Sequence, residues 1–184
     1  DKVDVGAYYA GFNLGYKFTN PFKAELGFEY LSGKDQKDTD TKVKSFTPLF
    51  GTNHGFNGLM DYFYVGNHKN SVGLQDFYTK FIYDKNKWQV TLAPHVFHSA
   101  VSVYNMTTLE EQDSYLGTEI DLTATYKMDK NFVISGGVSK MFASDTMEIL
   151  KGGNNNNCNN WAWVMVSFNP QLFTYKKWLY VEYS

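Results

Sequence analysis

The chain has 184 residues, of which 18% are aromatic, with 15 Gly and only 4 Pro inside an ordinary 43% hydrophobic share. Mean hydropathy is -0.41, and no run approaches the ~18 consecutive apolar residues of a spanning helix, so helical membrane passage is excluded. A β-barrel is not excluded, because its strands hide their apolar half in alternation.

Charge narrows the partners. All 17 basic residues are Lys, set against 19 acidic ones for a net charge of -2. Without the guanidinium fork or a basic stripe, nothing points to a nucleic acid. The lone Cys158 lies in an Asn-rich stretch and can form neither an intrachain disulfide nor a multi-cysteine metal site. The chain opens on Asp1 without a leader, which reads as a processed protein or a fragment and leaves its destination open.

Period-2 alternation recurs seven times along the chain. Over residues 4–18, Tyr8, Ala10, Phe12, Leu14, Tyr16 and Phe18 alternate with Ala7, Tyr9, Gly11, Asn13, Gly15 and Lys17. Phe22, Ala24, Leu26, Phe28 and Tyr30 then alternate with Lys23, Glu25, Gly27 and Glu29. Phe77, Thr79, Phe81 and Tyr83 oppose Asp76, Tyr78, Lys80 and Ile82, and Trp88, Val90, Leu92, Pro94 and Val96 oppose Gln89, Thr91, Ala93 and His95. Leu116, Thr118, Ile120, Leu122, Ala124 and Tyr126 oppose Gly117, Glu119, Asp121, Thr123, Thr125 and Lys127. Phe132, Ile134, Val138 and Phe142 oppose Ser135, Gly137 and Ser139. In the seventh segment Ala162, Val164, Val166 and Phe168 alternate with Trp161, Trp163, Met165 and Ser167, and the pattern does not say which face is which. Each segment has about the 9–11 residues that a tilted strand needs to cross a bilayer.

Two further patterns favour a membrane barrel. Aromatics gather at strand ends, with Tyr16, Phe18 and Phe22 at one turn, Tyr83 and Trp88 at another, and Tyr126 and Phe132 at a third. Interfacial aromatic girdles predict that placement. Connections also alternate between short ones (19–21, 84–87, 129–130) and long ones (33–72, 100–115, 144–160), as periplasmic turns and external loops do. The fold class expected is therefore all-β: an antiparallel transmembrane β-barrel with about seven or eight strands visible. Residues 1–173 carry the strands and the three external loops, and 174–184 form a tail or an extra strand. Seven is odd where single-chain barrels are even-numbered, so the chain is expected to be the C-terminal part of a larger barrel.

Candidate functional residues follow from the polar face. Lys17, Lys23, Glu25, Glu29, Asp76, Lys80, His95, Glu119, Asp121 and Lys127 would line the pore, with acids and bases mixed and no strong preference for either sign. Residues 46–68 break the alternation, and Asn53, His54, Asn57, Asp61 and His68 within them are candidates for a constriction loop turned into the pore mouth. The spacing of His54, Asp61 and His68 matches no standard metal site. No G-x-S-x-G elbow is present, and Glu110, Glu111 and Asp113 read as a solvated loop run, so neither catalysis nor a cofactor is expected. His95 and His98 sit near a strand end with no partner evident in the sequence.

The stretches PLFGTNHGFNGLMDYFYVGNH, VGLQDFYTKFIY, LGTEIDLTATYKM, ISGGVSKMFASDTMEILKGG and NNWAWVMVSFNP resemble the C-terminal portion of the alginate-export-like, porin-like outer-membrane barrels of Gram-negative bacteria. The resemblance covers most of residues 46–170 and implies a larger monomeric barrel that passes an anionic polysaccharide or similar solute. Exporters of that kind line the pore with Arg and Lys, and this chain has no Arg. The expectation is thus a porin-like or exporter-like channel in the bacterial outer membrane, in contact with lipid and lipopolysaccharide, for a saccharide or small anionic solute. The rival expectations are a non-conducting barrel serving an envelope protein complex, a soluble ligand-binding barrel and, last, a barrel-borne hydrolase.

Overall fold

The computed structural model describes residues 3–51 and 57–174. In chain order its elements are β1 (Tyr9–Thr19), β2 (Phe22–Leu31), β3 (Leu74–Lys85), β4 (Trp88–His98), β5 (Val103–Tyr104), β6 (Glu111–Gln112), β7 (Tyr115–Lys127), β8 (Phe132–Ala143), a short helix α1 (Asp145–Lys151) and β9 (Asn159–Phe168). The two-residue strands β5 and β6 pair only with each other. The other seven form one antiparallel meander in the order β1-β2-β3-β4-β7-β8-β9.

Local chemistry explains the alternation of connections. The tight turns carry residues suited to sharp reversal: Asn20-Pro21 between β1 and β2, Asn86 in the left-handed region (φ 58) between β3 and β4, and Asp129 between β7 and β8. Asp129 Oδ1 accepts from the backbone amides of Asn131 (2.7 Å) and Phe132 (3.0 Å), a side-chain mimic of a turn. Beyond the opposite ends of the strands, the expected open loops hold structure of their own. Residues 100–115 contain the β5–β6 ribbon, and residues 144–160 contain α1, whose Ser144 hydroxyl caps the Met147 amide at 3.2 Å.

The sheet is apolar on its outer face. Register places Phe12, Leu14 and Tyr16 of β1 on the same side as Leu26, Phe81, Leu92, Leu122, Val138 and Val164 of the strands that follow. This row is exposed, with Leu14 at 67% and Val164 at 80%. Ring pairs line its short-turn margin: Phe22 with Tyr83 (5.4 Å), Trp88 with Tyr126 (4.7 Å) and Phe132 with Phe168 (6.1 Å). At the other margin Tyr8 stacks on Tyr30 (5.6 Å), and His98 meets Phe77 and Tyr115.

The face that the sequence leaves open in β9 is now assigned. Trp161, Trp163, Met165 and Ser167 stand opposite Ser139, Gly137, Ser135 and Val133 on the inner face, while Ala162, Val164 and Val166 point outward. The core lies at the long-loop end of the inner face. There Leu31, Leu74, Phe97, Leu116 and Met141 from the strands meet Phe63 of the loop and Met147 of α1. Strands β1 and β9 are the two edges of the sheet and do not pair with each other among the described residues, so the shape seen is an open antiparallel sheet. The extra strand expected within 174–184 falls, apart from Thr174, outside the described residues.

Candidate functional site

Like charges face each other across the inner surface. Register sets Glu29 opposite Asp76 on neighbouring strands, Tyr78 opposite His95, and His95 opposite Glu119. Directly opposed carboxylates destabilise a sheet unless something bridges them. Here the bridge is Asn57, whose Nδ2 donates to Glu29 Oε2 (2.9 Å) and to Asp76 Oδ2 (3.2 Å). The connection between β2 and β3 therefore folds down onto the inner face.

The next residues bind the far wall. The backbone amides of Leu59 (2.6 Å) and Met60 (2.9 Å) both donate to Glu119 Oε1, and Leu59 N also lies 3.3 Å from Asp121 Oδ2. Glu119 is 0% exposed, so the loop supplies donors that water would otherwise provide. Backbone conformation brings these amides to the wall. Asn57 (φ 55) and Gly58 (φ 87) are consecutive left-handed residues, a conformation that Asn and Gly tolerate best. A Cβ on Gly58 would sit 2.6 Å from Glu119 Oε1. Gly58→Ala is expected to lift the loop from the wall and to destabilise the protein by roughly 1–3 kcal/mol; an unfolding midpoint equal to the parent's would contradict this.

His95 completes the cluster. Its Nδ1 lies 2.9 Å from Asp76 Oδ2 and its Nε2 4.0 Å from Asp121 Oδ2, while its ring stacks on Tyr78 at 5.4 Å. The partner that the sequence does not reveal is thus Asp76. His98 lies on the outer face instead, with Ser114 as its hydrogen-bond partner at 3.2 Å. Between loop and wall is a cavity of about 300 Å³ lined by Glu29, Asn57, Asp76, Tyr78, Lys80, Thr91, His95, Asp121 and Thr123.

All ten pore-lining candidates share the inner face, but the structure separates them along it. Glu29, Asp76, His95, Glu119 and Asp121 gather under the loop. Lys17 and Lys23 oppose each other near the short-turn end, Lys127 closes β7 there, and Glu25 pairs in register with Lys80. Acids crowd the loop level and Lys17, Lys23 and Lys127 lie toward the turns, while Lys80 stands between, in register with Glu25 and lining the cavity. Sequence reasoning misses Leu59 and Met60, whose contribution is backbone amide, and Tyr78, which only register places beside His95.

The loop candidates have separate fates. Asn57 is at the site. Asp61 takes a left-handed turn (φ 59) in the descending loop. His68, 3% exposed, lies beyond the site beside a 240 Å³ cavity that it lines with Phe63, Asn67 and Lys151. Burial, helped by the nearby Lys151 charge, holds the His68 imidazole below its ordinary 6.5, against a hydrogen bond to the Phe63 backbone. A depressed native value means that the neutral form stabilises the fold; that stability is complete above about 6.5 and falls as pH drops through that value. Relative to the intrinsic exchange rate at each pH, amide protection over residues 63–73 is expected to fall between pH 7.5 and pH 5, and His68→Gln to remove most of that loss. An equal loss of protection in parent and variant would assign it to other groups. Asn53 and His54 lie outside the described residues. Among the described residues, no group of three or more His, Cys, Asp or Glu side chains could hold a metal ion.

Fold and site together define a class: an all-β protein whose antiparallel sheet is apolar outside and charged inside, with a loop bound to the charged face. No protein-family model matches the chain, and no curated protein matches it significantly.

Proposed function

We propose that this chain forms part of the wall of an outer-membrane β-barrel channel, through which small polar or saccharide-like solutes diffuse. In this reading residues 57–68 form the constriction, and neither cofactor nor catalysis takes part. One observation carries it: the burial of the sheet is inverted. Phe12, Leu14, Leu26, Phe81, Leu122 and Val164 face out and are exposed, while Asp76, His95, Glu119 and Asp121 face in and are buried. A continuous apolar face of this extent is foreign to the surface of a soluble monomer, and a soluble ligand-binding barrel would turn its apolar residues inward.

Supporting features agree. The seven main strands have 10 to 13 residues, enough to cross a hydrocarbon core at a tilt. The aromatic pairs at the two margins stand where girdles meet lipid headgroups. A sheet in lipid tolerates no open edge, so in this reading the edges of β1 and β9 are themselves paired and the ring closes. The proposed location is the bacterial outer membrane, with lipid and lipopolysaccharide as neighbours and the alginate-export-like barrels as the kindred family.

The core of Phe63, Phe97, Leu116 and Met147 across the mouth favours a second reading, a plugged barrel that serves as an accessory or binding component of an envelope protein complex. Planar-bilayer recording of the full protein separates the two. Steady conductance supports the channel, whereas a correctly folded barrel that passes no current sinks it and leaves the plugged component.

A further inference from the structure

Among the described residues, the 300 Å³ cavity is lined by more carboxylates than cationic side chains. Both contacts of the Asn57 amide nitrogen go to Glu29 and Asp76. His95 turns Nδ1 to Asp76, and the Leu59 and Met60 amides are taken by Glu119. Lys80 lies toward the short-turn side, in register with Glu25 and with Nζ 5.0 Å from the Tyr78 ring. Among the described residues that line the space, three carboxylates, Glu29, Asp76 and Asp121, stand against one ammonium group, that of Lys80. Asp121 is 3% exposed, lines the cavity, and its Oδ1 has no hydrogen-bond partner. A buried anionic oxygen without a donor is strongly disfavoured unless a positive or donor-bearing group satisfies it.

We propose that this cavity is a cation-accepting subsite of the pore, which takes an alkali-metal ion or the ammonium group of a small solute. The inference rests on the channel reading and gives it a sign: the constriction passes cations in preference to anions. It departs from the anionic solute that the family resemblance implies, because three carboxylates outnumber Lys80, the one lysine among the described residues that line the cavity. Occupancy of such a subsite is weak and exchanging, as conduction requires. The Tyr78 ring adds an aromatic face beside the carboxylates for an ammonium group.

The test is the reversal potential of the full protein in a planar bilayer under a KCl gradient at neutral pH. A unit charge about 6 Å from the ion path, acting through a water-like dielectric, biases occupancy roughly threefold. Potassium is therefore expected to be favoured over chloride at least that much in the parent, and Glu29→Gln with Asp121→Asn to bring the ratio near unity. Putrescine added on one side is expected to reduce potassium current in the parent and to do so less in the double variant; block by potassium competition alone, without putrescine sensitivity, would confine the subsite to inorganic ions. A parent channel that conducts but favours chloride overturns the inference and leaves the channel reading standing. A potassium preference that both substitutions leave unmoved also overturns it, since a proton shared between Asp121 and Glu119 would then account for the orphan oxygen. Absence of any current would sink the channel reading first and this inference with it.

Discussion

Single channels of a Glu119→Ala variant are expected to carry a larger current than the parent, because the loop proposed to narrow the pore loses its anchor on the far wall. Glu119 is fully buried and accepts from two successive loop amides, at 2.6 and 2.9 Å. Hydrogen bonds contribute about 0.5–1.5 kcal/mol each, and nothing in an alanine side chain replaces these two. After the change, Leu59 N retains only the longer 3.3 Å approach to Asp121, while Asn57 still ties the other end to Glu29 and Asp76. The loop should then swing on its Asn57 attachment, with faster proteolysis near residues 58–62 as an independent sign. Glu119→Gln keeps an acceptor oxygen in place and is expected to fall between the two. Unchanged current in a folded Glu119→Ala barrel would mean that the loop does not set the width of the pore.

The second large effect compares neighbours in β7. Leu122 points outward at mid-strand, between Leu92 and Val138 in the register, and is 43% exposed. Thr123, one residue on, points inward and lines the cavity. Lysine on the lipid face at the bilayer midplane costs about 2–4 kcal/mol, a large part of the roughly 5–15 kcal/mol that holds a protein folded. Leu122→Lys is thus expected to fail to insert into vesicles, while Thr123→Lys inserts with the parent's heat-resistant gel mobility. In a water-soluble protein the order would reverse: an exposed Leu122 would accept lysine easily, and Thr123 under the loop would not.

Much of the architecture was legible because period-2 alternation needs no distant information. β2 shows this well, with five apolar residues from Phe22 to Tyr30 strictly alternating with polar or small ones and the observed strand spanning Phe22–Leu31. The direction of β9 was not legible, since Trp161 and Trp163 make one face as apolar as Val164 and Val166 make the other. Their assignment depends on Gly137 and Ser139 across the strand pair, where small residues leave room for indole rings. The site was legible only as a list of inward charges. Which of them converge depends on register between strands far apart in sequence, such as Glu29 with Asp76, and on a loop whose contribution at Leu59 and Met60 is backbone amide without any side-chain signature. The gathering of Glu29, Asp76, Glu119 and Asp121 under the loop follows from the same cause. Strand direction alternates, so residues distant in the chain share a level and adjacent ones do not.

The account turns on which face of the sheet meets lipid. Spin labels placed one at a time at positions 118 to 125 of β7, in the full protein reconstituted in bilayers, test it by collision with oxygen and with a water-soluble nickel chelate. Even positions, which face outward with Ile120 and Leu122, should collide with oxygen and be shielded from nickel. Odd positions 123 and 125, which face inward past the loop, should show the reverse, whereas 119 and 121, buried under it, should be shielded from both. Nickel accessibility at 120 and 122 equal to that at 123 and 125 would place water on both faces and contradict the membrane wall on which the pore, its loop and its cation subsite all depend.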